Sequence, residues 1–427
     1  MATIKSLYAN QILDSRGIPT VQATLVLDTG HSFVSAVPSG TSTGKYEAVE
    51  LRDNDQNRYF GMEVTKAVDN VNATIASELL GRDPSLQTDI DQTLINLDGT
   101  ANKSKLGANA MLAVSLCATK AGAAVYNMHL FDYITQKYAM REHHTALPTP
   151  IFNVLNGGKH GAGNLDFQEF HIIPTSTKSY PEALRLAVEI YHALESVLVQ
   201  RNAIHSVGIE GGFAPLLYTN KDALELISES IKRTDYVFGK DVFLGLDVAA
   251  SFFFRDGRYH IKDQQEAMTS AELIDYYKQL NQAINLFSLE DPFTEDDWKS
   301  WHTITQEIGD NTLIVGDDLL VTNKERLKKA IDQKACTAIL VKPNQIGTVS
   351  ETVDVIKTAK EAGLQVIVSH RSGETVDTFI ADFAYGIGAN YVKFGAPSRG
   401  ERTVKYNRLL EIDRIVNPGN AAPAPTT

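Results

Sequence analysis

Leu313-Ile314-Val315-Gly316-Asp317 and, further along, Ala338-Ile339-Leu340-Val341-Lys342 are two short apolar runs that each end on a charged residue. Runs this short, rich in β-branched residues, suit strands covered on both faces. The pattern recurs in both directions. Val242–Ala249 carries Asp247, Leu286–Asp291 carries Glu290, Val366–Ser369 is followed by His370, and Tyr391–Lys393 ends on Lys393. Asp247, Glu290, Asp317, Lys342, His370 and Lys393 follow one another at spacings of 43, 27, 25, 28 and 23 residues, about one strand-helix unit each after a longer first step. Amphipathic segments fill the gaps. In the clearest one, Thr269 and Glu272 form a capping box ahead of an apolar face made by Leu273, Tyr277, Leu280 and Ile284. This alternation predicts a parallel sheet closed into a barrel, with the charged strand ends opening on one face.

Upstream of the barrel the pattern changes. Val21, Ala23, Leu25 and Leu27 alternate with polar residues, Asp28-Thr29-Gly30 signals a turn, and His31–Val37 returns as the second strand of a hairpin. Helical stretches follow over about 64–80 and 105–127. The fold class expected is therefore α/β: a small N-terminal α+β domain over 1–135, then an eight-stranded β/α barrel over 146–416. The segment 417–427, rich in Pro, Ala and Thr, reads as a disordered tail.

Composition excludes some functions. A formal net charge of −12 over 427 residues argues against a nucleic-acid binder but not against an anionic substrate, because bound divalent metals reverse the sign of a pocket. Cys117 and Cys336 lie in separate apolar stretches and read as buried reduced thiols. Leu106–Met128 holds Asn109, Ser115 and Lys120 among small residues and reads as a buried helix rather than a membrane span. With no signal-peptide pattern in residues 1–9, a cytoplasmic protein is expected.

The barrel mouth carries the chemistry. Asp247, Glu290 and Asp317 are like charges that need a cation among them, and oxygen-only ligands favour Mg²⁺ or Mn²⁺. Lys342, His370, Arg371 and Lys393 add positive charge, so the pocket suits a doubly anionic small molecule such as a phosphorylated carboxylic acid. Arg371 offers a bidentate phosphate fork, with Ser372 beside it. A metal on the substrate carboxylate stabilises the charge formed when an α-proton leaves, and a lysine made neutral by neighbouring cations is a suitable base.

Eight segments, in order, carry a resemblance. They are Ile12-Leu13-Asp14-Ser15-Arg16-Gly17, Ser39-Gly40-Thr41-Ser42-Thr43-Gly44, Gln168-Glu169-Phe170, Glu210-Gly211-Gly212-Phe213-Ala214-Pro215, Glu290-Asp291-Pro292, Gly316-Asp317-Asp318-Leu319, Lys342-Pro343-Asn344-Gln345-Ile346-Gly347-Thr348 and Ser369-His370-Arg371-Ser372-Gly373-Glu374-Thr375. Together they resemble the signature segments of enolases. The resemblance implies a modified barrel, a hydro-lyase interconverting 2-phosphoglycerate and phosphoenolpyruvate, and two Mg²⁺ per site, with Mn²⁺ as a substitute. It assigns Asp247, Glu290 and Asp317 to the catalytic metal and Ser42 to a second one. Lys342 would take the C2 proton, and Glu210, assisted by Glu169, would protonate the departing hydroxyl. Arg371 and Ser372 would grip phosphate and Lys393 the carboxylate, with His160 and His370 completing the substrate pocket. A homodimer or higher homo-oligomer is implied.

The chain departs from that pattern at Ile209 (usually Asp), Phe252 (Glu), Phe394 (Thr), Thr41 (Ala), Gly161 and Gly163 (Ala and Asn) and Gly400 (Ser). Two further readings follow: a paralogue performing the same enolisation on a related phospho- or phosphono-carboxylate, and a non-catalytic enolase-like scaffold.

Overall fold

The computed structural model describes residues 2–41, 44–138, 146–161 and 165–418. Ser42, Gly163 and most of the expected tail (419–427) lie outside the described residues.

The N-terminal sheet has three antiparallel strands, β1 (Ile4–Leu13), β2 (Pro19–Leu27) and β3 (Ser32–Ala36), in that order. The β2–β3 hairpin matches the alternation in the sequence, and β1 adds a strand in front of it. Helix Ala108–Val125 packs on this sheet. It is apolar and long enough to cross a membrane, yet 83% of it is buried within the fold, as expected of a core helix. Cys117 and Cys336 are both buried and free. The expected helix over 64–80 is instead three pieces, with a π-helical stretch at Asn70–Ile75 between two short α-helices. The wider turn accompanies Asn72, whose side chain bonds both the N–H and the carbonyl of Ala9 on β1, at 2.6 and 3.2 Å.

The second sheet is a closed barrel of eight strands. They are β4 (Thr149–Asn156), β5 (Glu169–Pro174), β6 (Val242–Asp247), β9 (Ser288–Glu290), β10 (Leu313–Gly316), β11 (Ala338–Val341), β12 (Gln365–Ser369) and β13 (Tyr391–Lys393). A two-residue hairpin, β7 (Phe254–Arg255) with β8 (Arg258–Tyr259), sits outside it. The sheet is not wholly parallel, which corrects the sequence expectation: β5 runs antiparallel to both β4 and β6. Among the described residues no helix separates β4 from β5, so the chain returns directly to the adjacent position instead of crossing over. Ile151, Ile173, Val315, Ala338, Leu340 and Ile367 fill the barrel floor. Outside, helix Ser270–Ile284 starts on the expected capping box, with Thr269 Oγ accepting from the Glu272 N–H and the Glu272 carboxylate accepting from the Thr269 N–H at 2.7 Å. Losing such a cap costs about 0.5–2 kcal/mol.

Candidate active site

The barrel brings the charged strand ends to one mouth. Asp247 and Glu290 end adjacent strands and are register partners. Asp317, Lys342 and His370 follow β10, β11 and β12, Lys393 ends β13, and Glu169 opens β5. One cavity is lined by His160, Glu169, Glu210, Asp247, Asp317, Lys342, His370, Arg371, Ser372 and Lys393. Glu290 stands beside it, both its oxygens 2.8 Å from Lys393 Nζ. Glu210 reaches the cavity from a connection whose next residues leave no room for side chains. A Cβ on Gly211, at φ +91°, would lie 3.0 Å from Ala396, and one on Gly212 would lie 2.7 Å from Asn156.

Negative charge is in excess here. Burial, then the Asp247 charge, pushes the Glu290 carboxyl well above the usual range. Burial and Asp318 do the same to Asp291, and burial and Asp317 push Asp318 up to about 7. Asp247 is raised by burial although Lys393 opposes it. These carboxylates can ionise together only with added positive charge, and their donors are all hard oxygens, so the set fits a divalent cation such as Mg²⁺. Among the described residues, Asp291, Asp317 and Asp318 form a group whose carboxylate oxygens lie within 4.8 Å of one another; of the expected ligands it includes Asp317 but not Asp247 or Glu290. Asp291 braces the end of β10, accepting from the backbone N–H groups of Asp317 (3.0 Å) and Asp318 (2.7 Å).

Lys342 differs from expectation. Its Nζ lies 2.5 Å from Asp317 Oδ2, and although burial opposes the charged amine, Asp317 outweighs it and raises the lysine pKa. Arg371 and Lys393 push the other way but are secondary. In this arrangement Lys342 is an ammonium paired with a carboxylate.

A second grouping brings together His160, Glu169 and Glu210, the side chains expected to handle the proton. His160 Nδ1 lies 3.0 Å from Glu169 Oε1 and 3.4 Å from Glu210 Oε1. Burial disfavours its cation, but Glu210 and Glu169 outweigh that and push it up to about 10. Glu210 also accepts from Asn153 Nδ2 at 3.0 Å. Burial opposes its ionisation, yet His160 and His370 hold its pKa well below the usual carboxylate range. The proton in this grouping therefore resides on His160, not on Glu210. His370 is oriented from behind: Arg402 Nη1 donates to its Nδ1 at 2.8 Å, which leaves the His370 proton on Nε2, 3.5 Å from Glu210 Oε2.

On the opposite side, Arg371 pairs with Glu47, at 3.0 Å from Nη1 and 3.3 Å from Nη2, and also donates to Asn344 at 3.1 Å. Ser372 Oγ accepts from the Thr41 N–H at 2.9 Å and lies 2.7 Å from the Thr41 hydroxyl. Glu47, Asp318, His171 and Arg402 were not picked out from sequence. Glu47 lies only three residues past the Gly-rich loop, but nothing in the pattern marks its partner 324 positions away.

The departures separate into lining and backing positions. Phe252 lines the cavity, its ring 3.9 Å from the Lys159 ammonium. Phe394 is buried behind β13 against Tyr406, ring centroids 5.7 Å apart. The Ile209 carbonyl accepts from Arg402 at 3.0 Å. Gly161 is required by its loop, since a Cβ there would fall 2.5 Å from the Asn156 carbonyl oxygen. Gly400 opens the helix Gly400–Val416.

Two protein-family profiles match this architecture. The profile described as "Enolase, N-terminal domain" matches residues 4–134, and the one described as "Enolase, C-terminal TIM barrel domain" matches residues 144–422. With both halves matched in order, and an eight-stranded barrel whose mouth gathers carboxylates, lysines and an arginine, the chain belongs to the enolase family.

Proposed function

We propose that the protein is a hydro-lyase that interconverts 2-phosphoglycerate and phosphoenolpyruvate plus water, with its units dividing as 1–135 and 146–416. One observation carries the reading: the buried carboxylates Asp247 and Asp317 line one mouth with Lys342, Lys393 and the Arg371-Ser372 pair, and Glu290 stands beside it on Lys393. That mouth combines a metal-binding face, a base and an anion grip.

Asp247, Glu290 and Asp317 would hold the catalytic Mg²⁺, and Ser42 would serve a second one. A bound divalent cation neutralises the charge that builds on a carboxylate as its α-proton leaves. Arg371 holds phosphate with its planar fork, for which the Glu47 carboxylate is the internal counterpart. Lys393 engages the substrate carboxylate. Lys342 accepts the α-proton at Nζ as a neutral amine, after its ammonium has released a proton to water and parted from Asp317. His160 reaches Glu169 at 3.0 Å and Glu210 at 3.4 Å, and the three deliver a proton to the leaving hydroxyl. His370, fixed by Arg402, presents its N–H to Glu210.

One observation favours a second reading, a paralogue acting on a related phospho- or phosphono-carboxylate: the Phe252 ring forms part of the cavity wall. Of the other apolar departures, Phe394 packs behind the strand, which weighs toward the ordinary substrate. Purified, metal-loaded protein offered 2-phosphoglycerate decides between them. Rapid appearance of the ultraviolet-absorbing enol product supports the hydro-lyase, and negligible turnover by folded protein replaces it with the paralogue.

A further inference from the structure

We propose that His171 is a positioning residue that locks Glu169 into the proton-delivery group, an inference that rests on the lyase reading above. His171 lies two residues beyond Glu169 on β5, so both side chains face the barrel interior, as does Ile173 after them. Glu169 stands in the charged mouth and Ile173 in the apolar floor. His171 forms the layer between and is only 2% exposed.

The contacts are directional. His171 Nε2 lies 2.9 Å from Glu169 Oε2, while Glu169 Oε1 lies 3.0 Å from His160 Nδ1. An ionised carboxylate only accepts, so His171 carries a proton on Nε2 and donates it. Among the described residues its Nδ1 has no hydrogen-bond partner, so Glu169 is the ring's polar anchor there. The neighbouring strand makes room. Gly245 is the register partner of His171, and a Cβ there would lie 3.5 Å from His171 Cβ and 2.3 Å from Ser288 Oγ.

The consequence concerns Lys393. Its Nζ lies 3.4 Å from the same Glu169 oxygen. If Lys393 turns toward a substrate carboxylate, Glu169 keeps a donor on Oε2 and its Oε1 stays on His160. Without His171, Glu169 would be held at that end by the cation that the substrate also needs. A buried imidazole is costly unless it is hydrogen-bonded, so the bond to Glu169 is what makes this ring tolerable in the layer. The charged and titratable groups that face the pair are His160, Glu210, Asp247, Glu290, His370 and Lys393.

Two variants and two readouts test this. His171→Met keeps the bulk and removes the donor, and His171→Gln keeps an N–H of similar reach. The expected result is a kcat lowered about tenfold in His171→Met, less than the roughly 10²–10⁴ that a positioned acid–base group itself supplies, because Glu169 remains in place and loses one anchor. KM should stay near wild type, the acid limb of the kcat profile should move to higher pH, and His171→Gln should recover most of the loss. Wild-type kcat and pH profile in His171→Met would overturn the proposal, as would equal losses in both variants, which would mean packing alone. The second readout needs no turnover. With ¹⁵N-labelled histidine, one exchange-protected Nε2–H resonance should vanish in His171→Gln and shift in Glu169→Gln. Its absence, or its indifference to Glu169→Gln, would overturn the pairing. A wild-type protein inert toward 2-phosphoglycerate would sink the lyase reading, while the resonance would still decide the pairing.

Discussion

Replacing Arg402 with methionine should damage stability and catalysis together. Arg402 is fully buried and donates to four acceptors: His370 Nδ1 (2.8 Å), and the carbonyls of Arg371 (2.7 Å), Ile209 (3.0 Å) and Ser372 (2.6 Å). One guanidinium therefore ties the Arg371-Ser372 segment to the connection that carries Glu210. Each stranded buried acceptor costs about 1–3 kcal/mol if nothing moves. Neighbours relax, so the better guide to the total is the loss of one partner in a buried charged network, about 3–5 kcal/mol. Urea unfolding should show that loss as a lower midpoint at unchanged slope. Catalysis should suffer separately, because His370 loses the donor that fixes its proton on the Glu210 side. Arg402→Lys retains the charge but not the fork and should fall between. Unfolding free energy within about 1 kcal/mol of wild type, the worth of a single ordinary hydrogen bond, together with normal kcat, would refute the reasoning.

Three further outcomes are expected. His160, pushed up to about 10 from 6.5, should be seen by NMR still protonated at pH 8. Its folded-state pKa is raised, so the stability it contributes is full below about 6.5 and is lost as pH rises through about 10; a neutral ring at pH 7 would contradict this. Phe252→Glu exchanges a cation–π contact with Lys159 for a surface ion pair, each worth about 1 kcal/mol or less, so stability should barely change. Its kcat/KM for 2-phosphoglycerate should hold or rise, and a fall would favour the paralogue. Gly161→Ala places a Cβ 2.5 Å from the Asn156 carbonyl oxygen, so it should cost about 1–3 kcal/mol and lower kcat through the His160 loop. Unchanged unfolding and kcat would show that the loop adapts.

The sequence made the later barrel strands readable because each is an apolar run cut off by a charge, and β6 and β9 to β13 lie on those runs. The first two barrel strands were less legible. β4 is buried along nearly its whole length and β5 along all of it, so no alternation marks them, and strand direction leaves no trace in composition. The π-helical break at Asn70–Ile75 accompanies an asparagine that reaches from the helix to β1, which periodicity cannot register. At the site, spacing indicated which residues share the mouth but not who holds whom. Asp317 keeps Lys342 charged and Glu47 fills the Arg371 fork, and both pairings arise from long-range closure. Arg402 was silent because three of its four acceptors are backbone carbonyls, for which the sequence carries no code.

The central claim is that the carboxylate cluster supports metal-assisted removal of an α-proton by Lys342. The most direct test is deuterium exchange at C2 of 2-phosphoglycerate in heavy water, followed by NMR with wild-type and Lys342→Ala protein, each with Mg²⁺ and after exhaustive chelation. The account predicts exchange only for wild type with Mg²⁺, with substrate binding still detectable in Lys342→Ala. Exchange that survives chelation, or that proceeds at the wild-type rate in Lys342→Ala, would contradict it.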